Sequence, residues 1–173
     1  MKNLLLVVML GLSALTAMAQ DVTARIKQEA EKCAKALLAG DYEGVATYTH
    51  KRVITLMGGK EVLVASLKRG IEQMRADGYD FADASVGSPS EPKKIGAWIT
   101  SMVPQEVVMK VPGGRLHQES FLLAISEDEG MQWVFLDLGP ITPAQFTQVF
   151  PELDGKISLP AKKSPVLRKN EKG

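Results

Sequence analysis

Asp137 stands in "FLDLG", an acidic residue at the end of an otherwise apolar run. In such surroundings, loss of hydration raises a carboxyl's pKa towards that of a general base working near neutrality. Tyr48 and His50, in a segment that reads as helical, are the residues available to oppose it. The three together would suit proton abstraction and return, the work of a small isomerase or lyase. Each also has a plainer role. Asp137 precedes a Gly-Pro turn, where an aspartate commonly caps the loop, and this structural role is the one the sequence favours. His50, beside Lys51 and Arg52 at a helix start, reads as an exposed or capping residue.

A second set of residues offers binding surface. Trp98, Trp133, Phe135 and Phe121 lie in strand-like runs and are the candidates to line a ligand site, although core packing is the commoner duty of such tryptophans. Trp133, Phe135 and Asp137 share one strand face, and His117, Glu119, Phe121, Leu123 and Ile125 share another. Apolar residues crowd both faces, so parity alone does not say which looks inward. Met57, Met74, Met102, Met109 and Met131 imply an adaptable interior.

Other chemistries find no footing. The two histidines, His50 and His117, are far apart and lack a helical or strand partner, so no metal site is expected. His117 reads as a surface residue, and Glu127, Asp128 and Glu129 as a turn. No Ser-His-Asp arrangement, dinucleotide loop or haem motif appears, so no cofactor is expected. "MGGKE" lacks the first glycine and the Ser or Thr of a phosphate loop. Gly58 and Gly59 read as a hinge between helices. Cys33, on an apolar stripe and without a mate, reads as a buried inert thiol.

The elements that must position these residues follow from periodicity. Val22, Ile26, Ala30, Cys33, Leu37 and Leu38 form a helical stripe that Gly40 ends. Two short helices follow, through "DYEGVATYT" and "KRVITLM"; the second is expected to bury Val53, Leu56 and Met57. A longer helix runs from Lys60 to Asp77 and stops at Gly78. From there the period falls to two. "YDFADASVG" is one strand, "SPSEPKK" a loop, and residues 95–111, 115–126 and 131–139 three more strand-like runs joined by "PGG" and "EDEG" turns. Pro104 should mark a bulge or bend. Thr142, Pro143 and Gln145 give a capping-box start to one last short helix. Beyond it the chain is extended, and residues after about 167 are expected to be disordered.

The address is read from residues 1–19. Lys2, the run "LLLVVMLGLSALTAM" and small residues at Ala17 and Ala19 form a signal peptide with cleavage after Ala19. A secreted or periplasmic protein is expected, with no transmembrane segment after cleavage. Residues 20–155 make one domain. Residues 156–173 make a basic tail of six cations against Glu171. That tail is +5 and the rest of the processed chain −5, so no nucleic-acid footprint exists.

Helices followed by a strongly curved four-stranded antiparallel sheet, with a short C-terminal helix and an extended tail, is an α+β layout. Its order, with "LLAGDYEGVATYTH", "LMGGKEVLVASLKRGIEQM", "SFLLAISEDEGMQWVFLD" and "FPEL", resembles secreted bacterial proteins of the nuclear transport factor 2-like superfamily, which also holds ketosteroid isomerases and small polyketide cyclases. The resemblance implies a cone-shaped fold with a pocket between helices and concave sheet. It implies no particular reaction, although isomerases and dehydratases of this fold pair an acid or base with a Tyr, Asp or His. The expected function is a secreted module binding a small apolar ligand, or dimerising through its sheet. The alternatives are the small isomerase or lyase, and an envelope protein–protein interaction module.

Overall fold

The computed structural model describes the backbone of residues 2–169 and the side chains of residues 21–169; the signal peptide expected over residues 1–19 and its expected cleavage after Ala19 lie outside the residues described in side-chain detail. Four helices come first: α1 (Lys2–Ala39), α2 (Tyr42–Thr47), α3 (Lys51–Leu56) and α4 (Lys60–Ala76). Local chemistry sets each boundary. Gly40 takes φ +69°, and the Asp41 carboxylate accepts the Gly44 N–H at 2.9 Å to start α2. Gly58 and Gly59, at φ +92° and +111°, turn α3 into α4, which is the hinge the sequence implies.

Six strands follow: β1 (Asp80–Val86), β2 (Lys93–Ile95), β3 (Trp98–Val111), β4 (Gly114–Ser126), β5 (Val134–Asp137) and β6 (Val166–Lys169). The antiparallel path β1-β3-β4-β5 is the expected strongly curled four-stranded sheet. Two short strands were not expected. β2 folds back on the start of β3, so the run from Ile95 is a hairpin broken at Gly96 rather than one strand. β6 pairs Val166–Lys169 with Gly114–His117, so residues 166–169 are a strand, where disorder after about 167 was expected. Composition reports the solvation of side chains. It is silent on the backbone pairing that holds β6, whose residues are all exposed.

Pro104 bends nothing in the β3–β4 register, where it lies opposite Phe121 with no shift; the irregularity is in β1, between Phe81 and Asp83. The Pro104 carbonyl accepts the Gly87 N–H at 2.8 Å, on the side away from β4. A strand residue's N–H and C=O point the same way, so the donor that proline lacks faces the edge and costs β4 no bond.

The sheet is covered on both sides. Its inner face sends Val103, Leu122, Ala124, Trp133 and Phe135 against Ile26 and Ala30 of α1. Its outer face sends Trp98, Leu123, Ile125 and Leu136 against Phe146, Phe150 and Leu153 of α5 (Pro143–Val149) and the 3-10 turn after it. The Thr142–Gln145 capping box starts α5 as expected. Leu56 and Met57 were expected inside. They are exposed, because only Val53 of α3 reaches the outer core.

Gly114 gives a local test of β6. A Cβ there would lie 2.3 Å from the Arg168 carbonyl oxygen and 3.1 Å from the Lys169 Cα, both backbone atoms. Gly114→Ala is therefore expected to lift β6 from β4 while leaving the four-stranded path intact. Hydrogen exchange of the amides of residues 166–169 checks this: unchanged protection would mean that the contact relaxes without loss of the strand.

Candidate functional site

Between α1, α4 and the inner sheet face lies a cavity of about 630 Å³. Leu37 comes from the apolar stripe of α1, Leu67 and Ile71 from that of α4, and Phe81, Val107 and Met109 from the sheet. The wall continues over Gln118, Ser120, Phe121 and Asp137, and Pro160–Lys163 of the tail lie along the rim. An arrangement of strand edges opens this side. β4 is paired by β5 along residues 122–125 and by β6 along residues 114–117, and the stretch between, 118–121, is spanned by loop and tail. There the Leu138 N–H reaches the Phe121 carbonyl at 2.9 Å, Gln118 Nε2 donates to the Lys163 carbonyl at 3.1 Å, and Lys163 pairs with Glu119.

Asp137 is the carboxylate of this cavity. Its Oδ1 accepts the Gly139 N–H at 2.9 Å and the Ser120 hydroxyl at 3.4 Å, and Gln105 Nε2 donates to the Ser120 hydroxyl at 2.8 Å. The side chain is exposed to the open cavity, with protein crowded closely around the carboxyl. Burial raises its pKa above the ordinary aspartate value; the Gly139 N–H, Ser120 and Gln105 pull it back in part. The capping role is present as well, since the Gly139 bond closes the loop. One carboxylate thus ends a strand and faces a cavity.

The other candidates for chemistry are elsewhere. Tyr48 packs against Phe135 at 6.2 Å between ring centroids and donates to Glu29 Oε2 at 3.3 Å. It is not among the cavity's lining residues. His50 is fully buried in the outer core, against Phe150 at 4.8 Å and Trp98 at 5.8 Å, and its Nδ1 accepts the Arg52 N–H to cap α3. Capping was foreseen and burial was not. The structure therefore does not bring Asp137, Tyr48 and His50 together on one cavity.

Of the aromatic set, Phe121 lines the cavity; Trp98, Trp133 and Phe135 do not. Trp98 belongs to the outer core, with the Arg52 guanidinium 4.8 Å above its ring. Trp133 and Phe135 fill the inner core, and Trp133 Nε1 donates to the Gly130 carbonyl. Cys33 is half-buried, and burial pushes its thiol up to about 11, so it is neutral and unreactive at ordinary pH. His117 is half-buried and meets Glu106 at 2.7 Å across β3 and β4. Among the described residues no His, Cys, Asp and Glu side chains gather as a metal-binding group.

Sequence reasoning missed most of the cavity wall: Leu37, Leu67, Ile71, Phe81, Val107 and Met109. The signal was present in the stripes of α1 and α4, but periodicity does not separate residues that touch a neighbour from residues that face a gap. Comparisons with protein-family models, with curated proteins and with solved structures give no match.

Proposed function

We propose that this protein is a secreted or periplasmic binding module that holds a small, largely apolar ligand between α1, α4 and the inner sheet face. The observation that carries the reading is the cavity itself: a volume within the range of small-molecule sites, apolar on most sides, with convergent polar groups at Asp137, Ser120 and Gln118. The signal-like pattern of residues 1–19 supports the location, and the layout of helices on a curled sheet is consistent with the nuclear transport factor 2-like superfamily. No helix among the described residues is long and apolar enough to cross a membrane.

The enzymatic alternative keeps Asp137 as base, at a raised pKa and facing a cavity, but loses Tyr48 and His50 as its partners. Dimerisation through the sheet, or capture of an envelope partner on it, has less support. Phe146 and Phe150 already cover the outer face at Leu123 and Ile125.

The test is direct. Phenylnaphthylamine, a neutral dye bright only in apolar surroundings, is expected to bind the chain from residue 20 with a blue-shifted emission. Val107→Trp, which puts a large ring into the cavity, is expected to reduce its affinity by about tenfold or more, equivalent to about 1.4 kcal/mol. Equal binding by both proteins would place the dye elsewhere and sink the reading.

A further inference from the structure

The charges around the cavity are unequally compensated. Lys163, on the exposed tail, is neutralised by Glu119. Lys162 lies beside it on the rim. Of the two acids that line the cavity, Glu119 is thus paired, whereas among the described residues no lysine, arginine or histidine forms an ion pair with Asp137. The groups around its carboxyl, the Gly139 N–H, the Ser120 hydroxyl and the Gln105 amide, are neutral, and the Gly139 and Ser120 hydrogen bonds both fall on Oδ1. An ionised carboxylate offers about four acceptor sites across its two oxygens, so much of its capacity is left to whatever enters the cavity. Cys33, on α1, is a neutral thiol and supplies no counter-charge.

A carboxylate partly withdrawn from water and left without a cation is a cost that the right ligand removes. From this we infer that the cavity selects an amphipathic amine, with its ammonium group on Asp137 and its apolar chain along Val107, Met109 and Leu67. The inference rests on the binding reading above and narrows it to a ligand class. The hydrogen bonds of an ammonium to a carboxylate are charge-assisted at both ends, stronger than those an alcohol makes. An amphipathic acid would meet repulsion at Asp137 and could be held only by Lys162 at the rim.

Three probes with the same chain and different heads separate these cases: decylamine, decanol and decanoate, each used to displace phenylnaphthylamine from the chain begun at residue 20. The dye is titrated against every variant first, so that displacement constants are comparable. Decylamine is expected to bind at least about tenfold more tightly than decanol near neutral pH, and decanoate more weakly than either. In Asp137→Asn the amide oxygen still accepts the Gly139 N–H, so the loop keeps its cap. The preference for amine over alcohol should then fall to within about twofold, a difference too small for a charge-assisted bond. Equal displacement by amine and alcohol, or a preference for decanoate that Lys162→Ala abolishes, would overturn the inference and leave the binding reading standing. If the dye does not bind and decylamine adds no mass in a native mass spectrum, both fall.

Discussion

Phe150→Ala is expected to destabilise the protein by about 3–5 kcal/mol, the range for removing a buried aromatic ring from a packed core. Phe150 is wholly buried where the end of α5 meets the outer face of the sheet. Its ring meets His50 at 4.8 Å and Trp98 at 5.8 Å, both edge-on, and Phe146 at 5.7 Å. Its backbone N–H also closes α5 on the Phe146 carbonyl at 2.8 Å. Truncation thus removes contacts to three rings and opens a space bordered by rigid aromatics and the sheet, which cannot collapse to fill it. Arg52 adds to that rigidity: it lies over Trp98 and makes two 2.7 Å bonds to Glu152, whose carboxyl it holds near a pKa of about 2. Urea unfolding is the measurement, with a lower midpoint at unchanged slope as the expected result. Leu56→Ala, at an exposed position of α3, should stay within about 0.5 kcal/mol of the parent. A loss below about 1 kcal/mol at Phe150 would mean that α5 is not seated on the sheet.

The same corner explains which parts of the fold the sequence discloses. Helix ends were legible because their causes are local: Gly40, the Asp41 cap, the Gly58–Gly59 hinge and the Thr142–Gln145 box each act within a few residues. The inward face of β4 and β5 was not. Alternation identifies a buried face only when the other face meets water, and here α1 covers one side and α5 the other, so Leu122 and Leu123 are both buried. His50 was legible as a cap and illegible as a core residue for a related reason. Lys51 and Arg52 make its surroundings look wet, yet their charged heads are paired with Glu127 and Glu152, while the ring itself packs against Trp98 and Phe150. Asp137 was legible as a carboxylate in apolar company, since that needs only its neighbours in the chain. The cavity before it depends on where α1 and α4 stop touching the sheet, a property of the assembled layers.

His50 should give the protein a pH-dependent stability of predictable sign. Its Nδ1 accepts the Arg52 N–H at 3.1 Å, which fixes the neutral ring with its proton on Nε2. A second proton would have to go to Nδ1, where it would face a donor and undo the cap of α3. Nε2 points towards Glu127 Oε1 at 3.4 Å without hydrogen-bond geometry, and Glu127 is itself engaged by Lys51. Burial lowers the ring's pKa; Glu127 opposes this, and Arg52 and Lys51 add to it. The remaining neighbours, Trp98 and Phe150, carry no charge. With the folded value below the unfolded one, near 6.5, the unfolded chain binds the proton first as pH falls. Stability is therefore full above the unfolded value and is lost as pH drops from there towards the folded value, by at most about 1.4 kcal/mol per pH unit. His50→Asn keeps an acceptor at the cap and removes the titration. It is expected to be less stable than the parent at about pH 7, from lost ring packing, with the gap narrowing by about pH 5. A gap that stays constant would show that His50 is not kept neutral by the fold, and one that widens on acidification would mean that Glu127 holds a charged ring.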